Sequence, residues 1–310
     1  MKIVCLDAST LGGADLSIFK EFGELEVYDL TSKEDVIARI SNAQVVMINK
    51  IIIDKEVMDQ TNLKLILQLS TGVNNIDMSY AKQKGIVVKN AVGYSTKSVL
   101  GHTFALILAF LNHIPYYDKW SKEGKWCKSP IFTDFSRTLH SLDGKKHGII
   151  GLGTIGKEVA QTSMLFGSSV YYYSTSGANF DKQYKKVSLE ELLTICDVIS
   201  IHAPLNEKTK NLITKKELKL LKDGAILINV GRGGIINEDD LAWAIDAKNI
   251  KAGLDVLEIE PMIKNHSLSQ IKNKENLIIT PHIAWASAES IQNLIQIVYK
   301  NFKEYMENGK

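Results

Sequence analysis

The stretch His147-Gly148-Ile149-Ile150-Gly151-Leu152-Gly153-Thr154-Ile155-Gly156 decides the fold of this chain of 310 residues. Its first four residues predict a buried strand, and the rest is a G-x-G-x-x-G that opens an amphipathic helix over 155–166. In that setting the glycines indicate a dinucleotide site, because Gly151 permits a tight turn, Gly153 lets backbone approach a pyrophosphate, and Gly156 lets helix and strand pack closely. The anion would lie at the positive end of the helix.

The next predicted strand, 170–173, bears on which dinucleotide the site accepts. A site for NAD normally has Asp or Glu at the end of this strand, where it binds the ribose 2′-hydroxyl. This chain has Ser174-Thr175-Ser176-Gly177 there, with no acid between Glu158 and Asp181. Hydroxyl groups at Ser174 and Thr175 can donate to a 2′-phosphate, whereas a carboxylate would repel it, so NAD and NADP both remain open. Lys182 is either a phosphate contact or a solvated surface lysine.

Short apolar runs alternate with amphipathic stretches along the whole chain, which predicts an α/β protein with parallel sheets and helices on both faces. The runs are almost wholly apolar, as expected of strands buried on both sides. The predicted strands are Ile3–Leu6, Leu25–Tyr28, Gln44–Ile48, Leu65–Leu69, Ile86–Val88, His147–Ile150, Val170–Tyr173, Val198–Ile201, Ala225–Asn229, Ala252–Leu254 and Leu277–Thr280. The predicted helices are 15–21, 33–40, 55–59, 76–84, 98–111, 155–166, 189–194, 215–220, 239–247 with Asn237 as its N-cap, and 288–307.

Composition and charge argue against several classes of protein. Hydrophobic residues are 45% and charged residues 23% of the chain, a balance typical of globular proteins. A net charge of +2 without a dense Lys/Arg block argues against a nucleic-acid partner. The longest apolar run, Val99–Leu111, is shorter than the ~20 residues that a membrane span needs, so we expect no membrane partner. Cys5, Cys127 and Cys196 form no CxxC, which argues against structural zinc or a disulfide framework and fits a reducing cytoplasm; we predict no metal site.

Three further segments place polar residues where predicted strands end. They are 229–234 (Asn-Val-Gly-Arg-Gly-Gly), 253–261 (Gly-Leu-Asp-Val-Leu-Glu-Ile-Glu-Pro) and 280–287 (Thr-Pro-His-Ile-Ala-Trp-Ala-Ser). Open α/β sheets bind their ligands at the carboxyl ends of parallel strands. We therefore expect a site that combines these segments.

With four more motifs the chain resembles the D-isomer-specific 2-hydroxyacid dehydrogenase family over nearly its whole length. The motifs are 70–77 (Ser-Thr-Gly-Val-Asn-Asn-Ile-Asp), 98–103 (Ser-Val-Leu-Gly-His-Thr), 124–126 (Gly-Lys-Trp) and 202–205 (His-Ala-Pro-Leu) followed by Thr209. The resemblance implies two doubly wound parallel-sheet domains with an interdomain cleft. A flavodoxin-like substrate domain would comprise 1–97 plus 286–310, and a Rossmann cofactor domain 98–285. Hinge closure of the cleft would bring 71–73 toward Arg232 and exclude water.

The resemblance implies roles for three residues, and each residue type suits its role. Arg232 would bind the substrate carboxylate through its bidentate guanidinium. His282 would donate a proton to the 2-oxo oxygen as hydride arrives, or remove it in the reverse direction. Glu260 would hydrogen-bond His282, orient it and favour its protonated form; it is preferred to Glu258 because it abuts Pro261 as in the family. The hydride would come from the nicotinamide of NAD or NADP.

The resemblance also implies contacts for the rest of the site. Asp255 would hold the nicotinamide carboxamide, and Thr154 and Ile155 would meet the pyrophosphate. The residues lining the cofactor would be Ala203, Pro204, Thr209, Val230 and Gly231. Backbone at Thr71, Gly72 and Val73 would help to hold the substrate carboxylate.

The implied substrate is a small D-2-hydroxy acid or 2-oxo acid. Trp285 resembles the glycerate dehydrogenase and hydroxypyruvate or glyoxylate reductase branch, where a large aromatic beside the catalytic histidine would narrow the pocket; an equal alternative is a tryptophan of the core or rim. Relatives usually form homodimers, and we expect the same here, with a helix such as 98–110 at the interface. Two other functions remain open: phosphite dehydrogenase, which expects a lysine near 70–72 that this chain lacks, and a non-catalytic NAD(H)-sensing binding protein.

Overall fold

The chain divides into two compact units in the computed structural model, which describes residues 1–307. Met1–Ser95 and Ala286–Lys310 form the terminal unit, and Thr96–Trp285 form the inserted unit. The boundary predicted after residue 97 falls two residues beyond the first division point, and the one predicted after residue 285 coincides with the second. The polypeptide therefore leaves the terminal unit once and returns to it at its end.

A parallel sheet organises the terminal unit. Its strands are β1 (Lys2–Cys5), β2 (Glu24–Val27), β3 (Val45–Ile48), β4 (Leu65–Gln68) and β5 (Val87–Asn90). They lie in the order β2-β1-β3-β4-β5, which is that of flavodoxin-like sheets. The central strands β3 and β4 are buried along their whole length, as their apolar sequences predict. The predicted doubly wound parallel fold is thus confirmed for this unit.

Short helices connect these strands. They are α1 (Val36–Ile40), α2 (Lys55–Asp59) and α3 (Met78–Gln83). Asp54 caps α2 by accepting a hydrogen bond from the Val57 N–H at 3.0 Å. The helix predicted over 15–21 is instead a 3₁₀ turn, Ser17–Phe22. Gly23 ends that turn against the backbone of Met1, where an added Cβ would lie 2.1 Å from the carbonyl oxygen, so the chain enters β2 before a full α-helix can form.

A second parallel sheet organises the inserted unit. Its strands are β6 (Lys146–Ile150), β7 (Ser169–Tyr173), β8 (Lys185–Lys186), β9 (Val198–Ile201), β10 (Ile226–Asn229), β11 (Lys251–Leu254) and β12 (Leu277–Ile279). They lie in the order β12-β11-β10-β9-β6-β7-β8. Counted from β6, this order is that of a Rossmann sheet with one more strand at the β12 edge. The predicted Rossmann fold is confirmed.

Helices cover this second sheet. They are α4 (Thr96–Leu111), α5 (Ile114–Lys122), α6 (Thr154–Leu165), α7 (Leu189–Ile195), α8 (Lys215–Leu218) and α9 (Glu238–Lys248). The predicted N-cap Asn237 is confirmed, since its side chain accepts a hydrogen bond from the Asp240 N–H at 3.0 Å. The sequence did not predict α5 or the two-residue β8. None of the side chains of α5 is buried, so the apolar stripe that identifies a helix is weak there, although Pro115 in its first turn is a typical start signal.

The helix α4 is the apolar core helix predicted over 98–111. It buries Phe104, Ile107 and Phe110 against the inserted unit's sheet and α6. Across residues 1–307, no single helix has the length and apolar character required to cross a bilayer, and α4 with α5 meets that test only as a pair bent by 63°.

The last helix, α10 (Ala288–Glu307), completes the terminal unit, as predicted over 288–307. Phe302 is fully buried and stacks on Phe22 with ring centroids 4.3 Å apart. Asn301 Nδ2 donates a hydrogen bond to the carbonyl of Asn90 at 3.0 Å, at the end of β5. The N-terminal segment of the chain thus depends on its last helix for part of its core.

All seven histidines of the sequence lie in the inserted unit, and two of them, the buried His147 and the half-buried His202, are linked by a chain of polar side chains. His147 Nδ1 lies 2.8 Å from Ser163 Oγ on α6, and its Nε2 lies 3.0 Å from Ser200 Oγ on β9. The same Ser200 hydroxyl lies 2.9 Å from His202 Nε2. Burial lowers the pKa of both imidazoles to about 3, so both rings are neutral at neutral pH.

Candidate active site

The glycine turn between β6 and α6 has the form that a dinucleotide site requires. Gly151 has a left-handed φ of 94°, and an added Cβ there would lie 2.9 Å from the Ala203 backbone nitrogen. An added Cβ at Gly156 would lie 2.1 Å from the carbonyl oxygen of Gly151, whereas one at Gly153 would meet nothing within 4 Å. The turn is therefore packed tightly behind Gly151 and Gly156 and open in front of Gly153, which fits an approaching pyrophosphate. Thr154 begins α6, whose N-terminus favours an anion.

The segment after β9 lies beside this turn. Ala203 is buried next to Gly151, and Pro204 is followed by a turn that Thr209 closes. The Thr209 hydroxyl is buried, donates to the Pro204 carbonyl at 2.7 Å and accepts the Asn206 N–H at 2.8 Å. Thr209 thus shapes the backbone that presents Ala203 and Pro204.

Ser174 and Thr175 follow β7 directly, where the sequence places the ribose. Ser174 is buried, and within residues 1–307 its Oγ has no hydrogen-bond partner. Lys182, the predicted phosphate candidate, is exposed, as expected of a surface lysine. Among residues 1–307 no cluster of three or more His, Cys, Asp or Glu side chains could hold a metal ion.

Arg232 is presented by a turn that follows β10. The Asn229 side chain brackets this turn, accepting the Gly231 N–H at 3.1 Å and donating to the Arg232 carbonyl at 2.9 Å. An added Cβ at Gly233 would lie 1.9 Å from the Leu257 carbonyl oxygen, so the turn rests directly on the segment that follows β11. The guanidinium is exposed and donates to the Gly231 carbonyl at 2.8 Å through one nitrogen. Its planar fork is suited to a carboxylate.

His282 and Glu260 are brought together, as predicted. His282 Nδ1 lies 2.7 Å from Glu260 Oε2, and Glu260 Oε1 accepts the Leu257 N–H at 3.1 Å. His282 has a left-handed φ of 56°, which is costly for a residue of this kind. The backbone N–H of His282 donates to the Asp255 carbonyl at 2.8 Å, which helps to hold the left-handed backbone conformation. The carboxylate fixes the ring so that Nε2 is the nitrogen directed away from it.

Asp255 anchors the loop that carries His282. Its carboxylate is buried and accepts the Thr280 hydroxyl at 2.6 Å and the N–H groups of Ile283 and Ala284 at 2.9 and 2.8 Å. The Thr280 hydroxyl donates its only proton to Asp255. His102 Nε2, which lies 2.9 Å from the same hydroxyl, must therefore be the donor in the hydrogen bond between His102 and Thr280. Sequence reasoning missed this anchoring, which depends on contacts between distant segments. Nicotinamide binding by Asp255 stays a prediction.

Glu238 anchors the loop that carries Glu260. Its Oε1 accepts the Glu258 N–H at 2.7 Å, and its Oε2 lies 2.8 Å from His266 Nε2. The Leu268 N–H donates to His266 Nδ1 at 3.2 Å, so the ring proton is on Nε2 and points at Glu238. The sequence did not predict this role of Glu238, because its partners lie 20 and 28 residues away.

The predicted backbone contacts at Thr71, Gly72 and Val73 belong to the terminal unit, directly after β4. The Thr71 hydroxyl donates to the Ala91 carbonyl at 2.8 Å, and Asn90 donates to the Thr71 carbonyl at 2.7 Å. These bonds tie the loop to the end of β5.

Val230 is buried directly after β10, and Trp285 is half-buried against the apolar cluster that includes Phe104. The packing of Trp285 is compatible with both predicted readings, a pocket wall and a core residue.

A Rossmann sheet with this glycine turn, a clamped histidine–carboxylate pair and an exposed arginine defines a dinucleotide-dependent oxidoreductase. Residues 104–284 match the family described as D-isomer specific 2-hydroxyacid dehydrogenase, NAD binding domain. The chain is 37% identical to a hydroxypyruvate reductase of Blautia hydrogenotrophica, with 100% of this chain and 98% of the relative covered. The chain belongs to the family of D-isomer-specific 2-hydroxyacid dehydrogenases.

Two solved structures bear on the cofactor. The D-lactate dehydrogenase of Aquifex aeolicus, complexed with NAD and lactic acid, has a TM-score of 0.84 and 27% identity, with 99% of this chain and 96% of that chain covered. An acyclic imino acid reductase in complex with NADPH and D-Arg has a TM-score of 0.87 and 28% identity, with 99% and 98% covered. The cofactor of this chain is NAD or NADP, as the sequence predicts.

Proposed function

We propose that this chain reduces a small 2-oxo acid, hydroxypyruvate or glyoxylate, to the hydroxy acid, and runs the reverse reaction on D-glycerate or glycolate. The observation that carries the proposal is the 2.7 Å contact between His282 Nδ1 and Glu260 Oε2 in the same unit as the Arg232 turn. The likeness to a hydroxypyruvate reductase over the full chain supports the substrate class.

Arg232 binds the substrate carboxylate in this proposal. Its exposed guanidinium offers paired N–H donors, and the Asn229 bracket fixes the backbone from which it projects. Gly233 allows that turn to lie directly on the Leu257 backbone, close to the segment that holds Glu260. Carboxylate binding by Arg232 would therefore place the neighbouring 2-oxo carbon in register with the acid–base residue.

His282 moves the proton. Reduced nicotinamide, once bound, would supply the hydride that C2 of the oxo acid accepts. The protonated ring gives the Nε2 proton to the 2-oxo oxygen, so the product is a hydroxy acid and the ring becomes neutral. In the reverse direction neutral Nε2 takes the hydroxyl proton. Glu260 keeps the Nδ1 proton on its own side through the hydrogen bond, so that Nε2 is the nitrogen that gains and loses a proton.

The partner of the inserted unit is a second copy of this chain in this proposal, as the resemblance implies. Exposed apolar side chains follow α5, among them Phe132 at 88% and Phe135 at 81% exposure. A surface of this kind favours association. Light scattering after size exclusion should give twice the chain mass, and Phe132→Ser with Phe135→Ser should shift it toward the monomer.

The test of the activity is the loss of absorbance of reduced nicotinamide with hydroxypyruvate, glyoxylate and pyruvate, each against NADH and NADPH. Turnover of hydroxypyruvate or glyoxylate well above pyruvate supports the proposal. Pyruvate as the preferred acid contradicts the substrate assignment. Cofactor binding without turnover of any of the three contradicts the reductase and favours the NAD(H)-sensing binding protein.

A further inference from the structure

The turn that follows β7, Ser174-Thr175-Ser176-Gly177, is here named the ribose turn. We propose that the ribose turn and Lys186 bind the 2′-phosphate of NADP, so that this chain prefers the phosphorylated cofactor. The inference deepens the proposed function, since it rests on the dinucleotide site, and it names Lys186 as the residue that decides cofactor choice.

Lys186 is held against the ribose turn by both its backbone and its side chain. Strand β8 pairs with β7 in a register that sets Lys186 opposite Tyr172, two residues before the turn begins. The Lys186 ammonium donates to the carbonyl of Gly177 at 3.2 Å, at the far end of the turn. A positive charge therefore lies on the same turn that follows the strand at whose end NAD-specific sites have a carboxylate.

Other lysines of this segment are used differently. Lys185 points to Glu191, with 3.5 Å between the charged atoms, and Lys157 on α6 pairs with Asp181 at 3.3 Å. Lys186 has its side-chain contact with a neutral carbonyl instead, so its charge is not compensated by that partner. An ammonium in this state can bind a phosphate dianion without first leaving a carboxylate.

The hydroxyl groups of the ribose turn complement this charge. No carboxylate lies between Tyr173 and Phe180, and Asp181, the next acid, is engaged by Lys157. The Ser174 Oγ is buried and has no hydrogen-bond partner within residues 1–307. Rotation about its Cα–Cβ bond redirects the hydroxyl, and a phosphate oxygen would supply the acceptor that it lacks. Gly177, with φ of 75°, gives the turn its tight close.

Binding of two matched nucleotides tests the proposal without turnover. Adenosine 2′,5′-bisphosphate and adenosine 5′-diphosphate carry the same number of phosphates and differ in where the second one sits. Calorimetry on the whole chain should show the 2′,5′-bisphosphate binding about tenfold more tightly or better, with a steeper loss of affinity in salt. Lys186→Gln should bring the two affinities together, whereas Lys182→Gln, an exposed lysine four residues earlier in the chain, should leave their ratio within twofold.

A reversal of preference provides a second test. Ser174→Asp restores the acid that NAD sites use, and it should invert the ratio of affinities in favour of the 5′-diphosphate. Circular dichroism and the melting temperature establish whether each variant is folded. If Ser174→Asp does not fold, Lys186→Gln alone tests the 2′-phosphate proposal.

Two results would overturn the proposal. One is wild-type protein that binds the 5′-diphosphate as tightly as the 2′,5′-bisphosphate. The other is an unchanged ratio in Lys186→Gln. Failure of this inference is separable from failure of the proposed function: rapid reduction of hydroxypyruvate with NADH alone would keep the reductase and reject the phosphate site. A strong preference for the 2′,5′-bisphosphate without turnover of any oxo acid would keep the phosphate site and reject the reductase.

Discussion

The two sheets each have one point where strand order reverses, between β1 and β3 in the terminal unit and between β6 and β9 in the inserted unit. Such switch points are where doubly wound sheets bind ligands. In the terminal unit the buried carboxylate of Asp7 occupies this place and accepts the N–H groups of Asn49, Lys50 and Ile51 at 3.0, 2.6 and 3.2 Å. In the inserted unit Gly151 lies against the segment that follows β9, where an added Cβ would come within 2.9 Å of the Ala203 backbone nitrogen.

The difference between Asp7 and Gly151 makes the switch point of the terminal unit a closed crevice, filled by a side chain, and the switch point of the inserted unit an open one. In the terminal unit a side chain of the protein supplies the anion that the loop amides require. In the inserted unit the glycine turn lacks such a side chain, so its amides suit the anion of a ligand. The same topology thus serves stability in one unit and binding in the other. Four predictions test whether the terminal unit serves stability and the inserted unit serves binding and chemistry.

The largest expected effect is on chemistry in the inserted unit. His282→Asn keeps a residue that tolerates the left-handed φ of 56° and removes the acid–base group. We expect kcat to fall about 10³-fold with cofactor affinity unchanged. Stopped-flow turnover and calorimetry measure the two quantities. Asp7→Asn is the matched control in the closed crevice, and it should keep kcat within twofold; a comparable loss of kcat in both variants would refute the division.

Acid should destabilise the inserted unit first. The folded-state pKa of His147 and His202 is about 3, far below the ordinary value of about 6.5, so the unfolded state takes up protons first as pH falls. The contribution of these two rings to the free energy of unfolding is complete above pH 6.5 and is lost progressively toward pH 3. By pH 5 each ring has lost about 2 kcal/mol of that contribution. Burial raises the pKa of Asp7, so the contribution of this one carboxyl in the terminal unit has the opposite sign and favours the folded state as pH falls.

Hydrogen exchange resolved by unit at pH 7.5 and pH 5 measures this difference. His147→Gln should remove about half of the pH dependence that His147 and His202 contribute, because one of these two rings remains. If the terminal unit opened more readily than the inserted unit at pH 5, the acid sensitivity could not be assigned to His147 and His202.

A smaller effect is expected from opening the closed crevice. Asp7→Ala leaves the amides of Asn49, Lys50 and Ile51 without their acceptor, and we expect a loss of about 3 kcal/mol in the free energy of unfolding. The urea midpoint should fall while KM for the cofactor stays constant. A raised cofactor KM would show that the terminal crevice also takes part in binding.

The smallest effect is expected at Glu238, the anchor of the Glu260 loop. Glu238→Gln presents an amide N–H₂ or a weaker acceptor to the His266 Nε2 proton, so the loop should loosen and kcat should fall about tenfold. Glu258→Gln is the control, because it keeps the backbone N–H that Glu238 accepts. Equal effects of both variants would assign Glu238 a general structural role.

The strands and the glycine turn could be predicted from sequence because each depends on a local pattern. The Glu260–His282 pair, whose members lie 22 residues apart, was implied by the family resemblance instead. The anchoring roles of Asp7, Asp255 and Glu238 could not be predicted, because each carboxylate accepts from amides that lie between 20 and 44 residues away. Lys186 was missed for a related reason: its contact with Gly177 depends on the two-residue strand β8, which has no periodicity to detect. Lys182, left open from sequence as a phosphate contact or a surface lysine, is exposed in the structure.

The return of α10 to the terminal unit has a consequence for how the chain is made. A ribosome delivers Met1–Ser95 first, yet the buried Phe302 that packs on Phe22 is delivered last. The inserted unit is contiguous and can fold while synthesis continues, whereas the terminal unit waits for its final helix. A stop codon within α10 would therefore leave a folded dinucleotide-binding unit attached to an unfinished partner, a species that cellular proteases should remove.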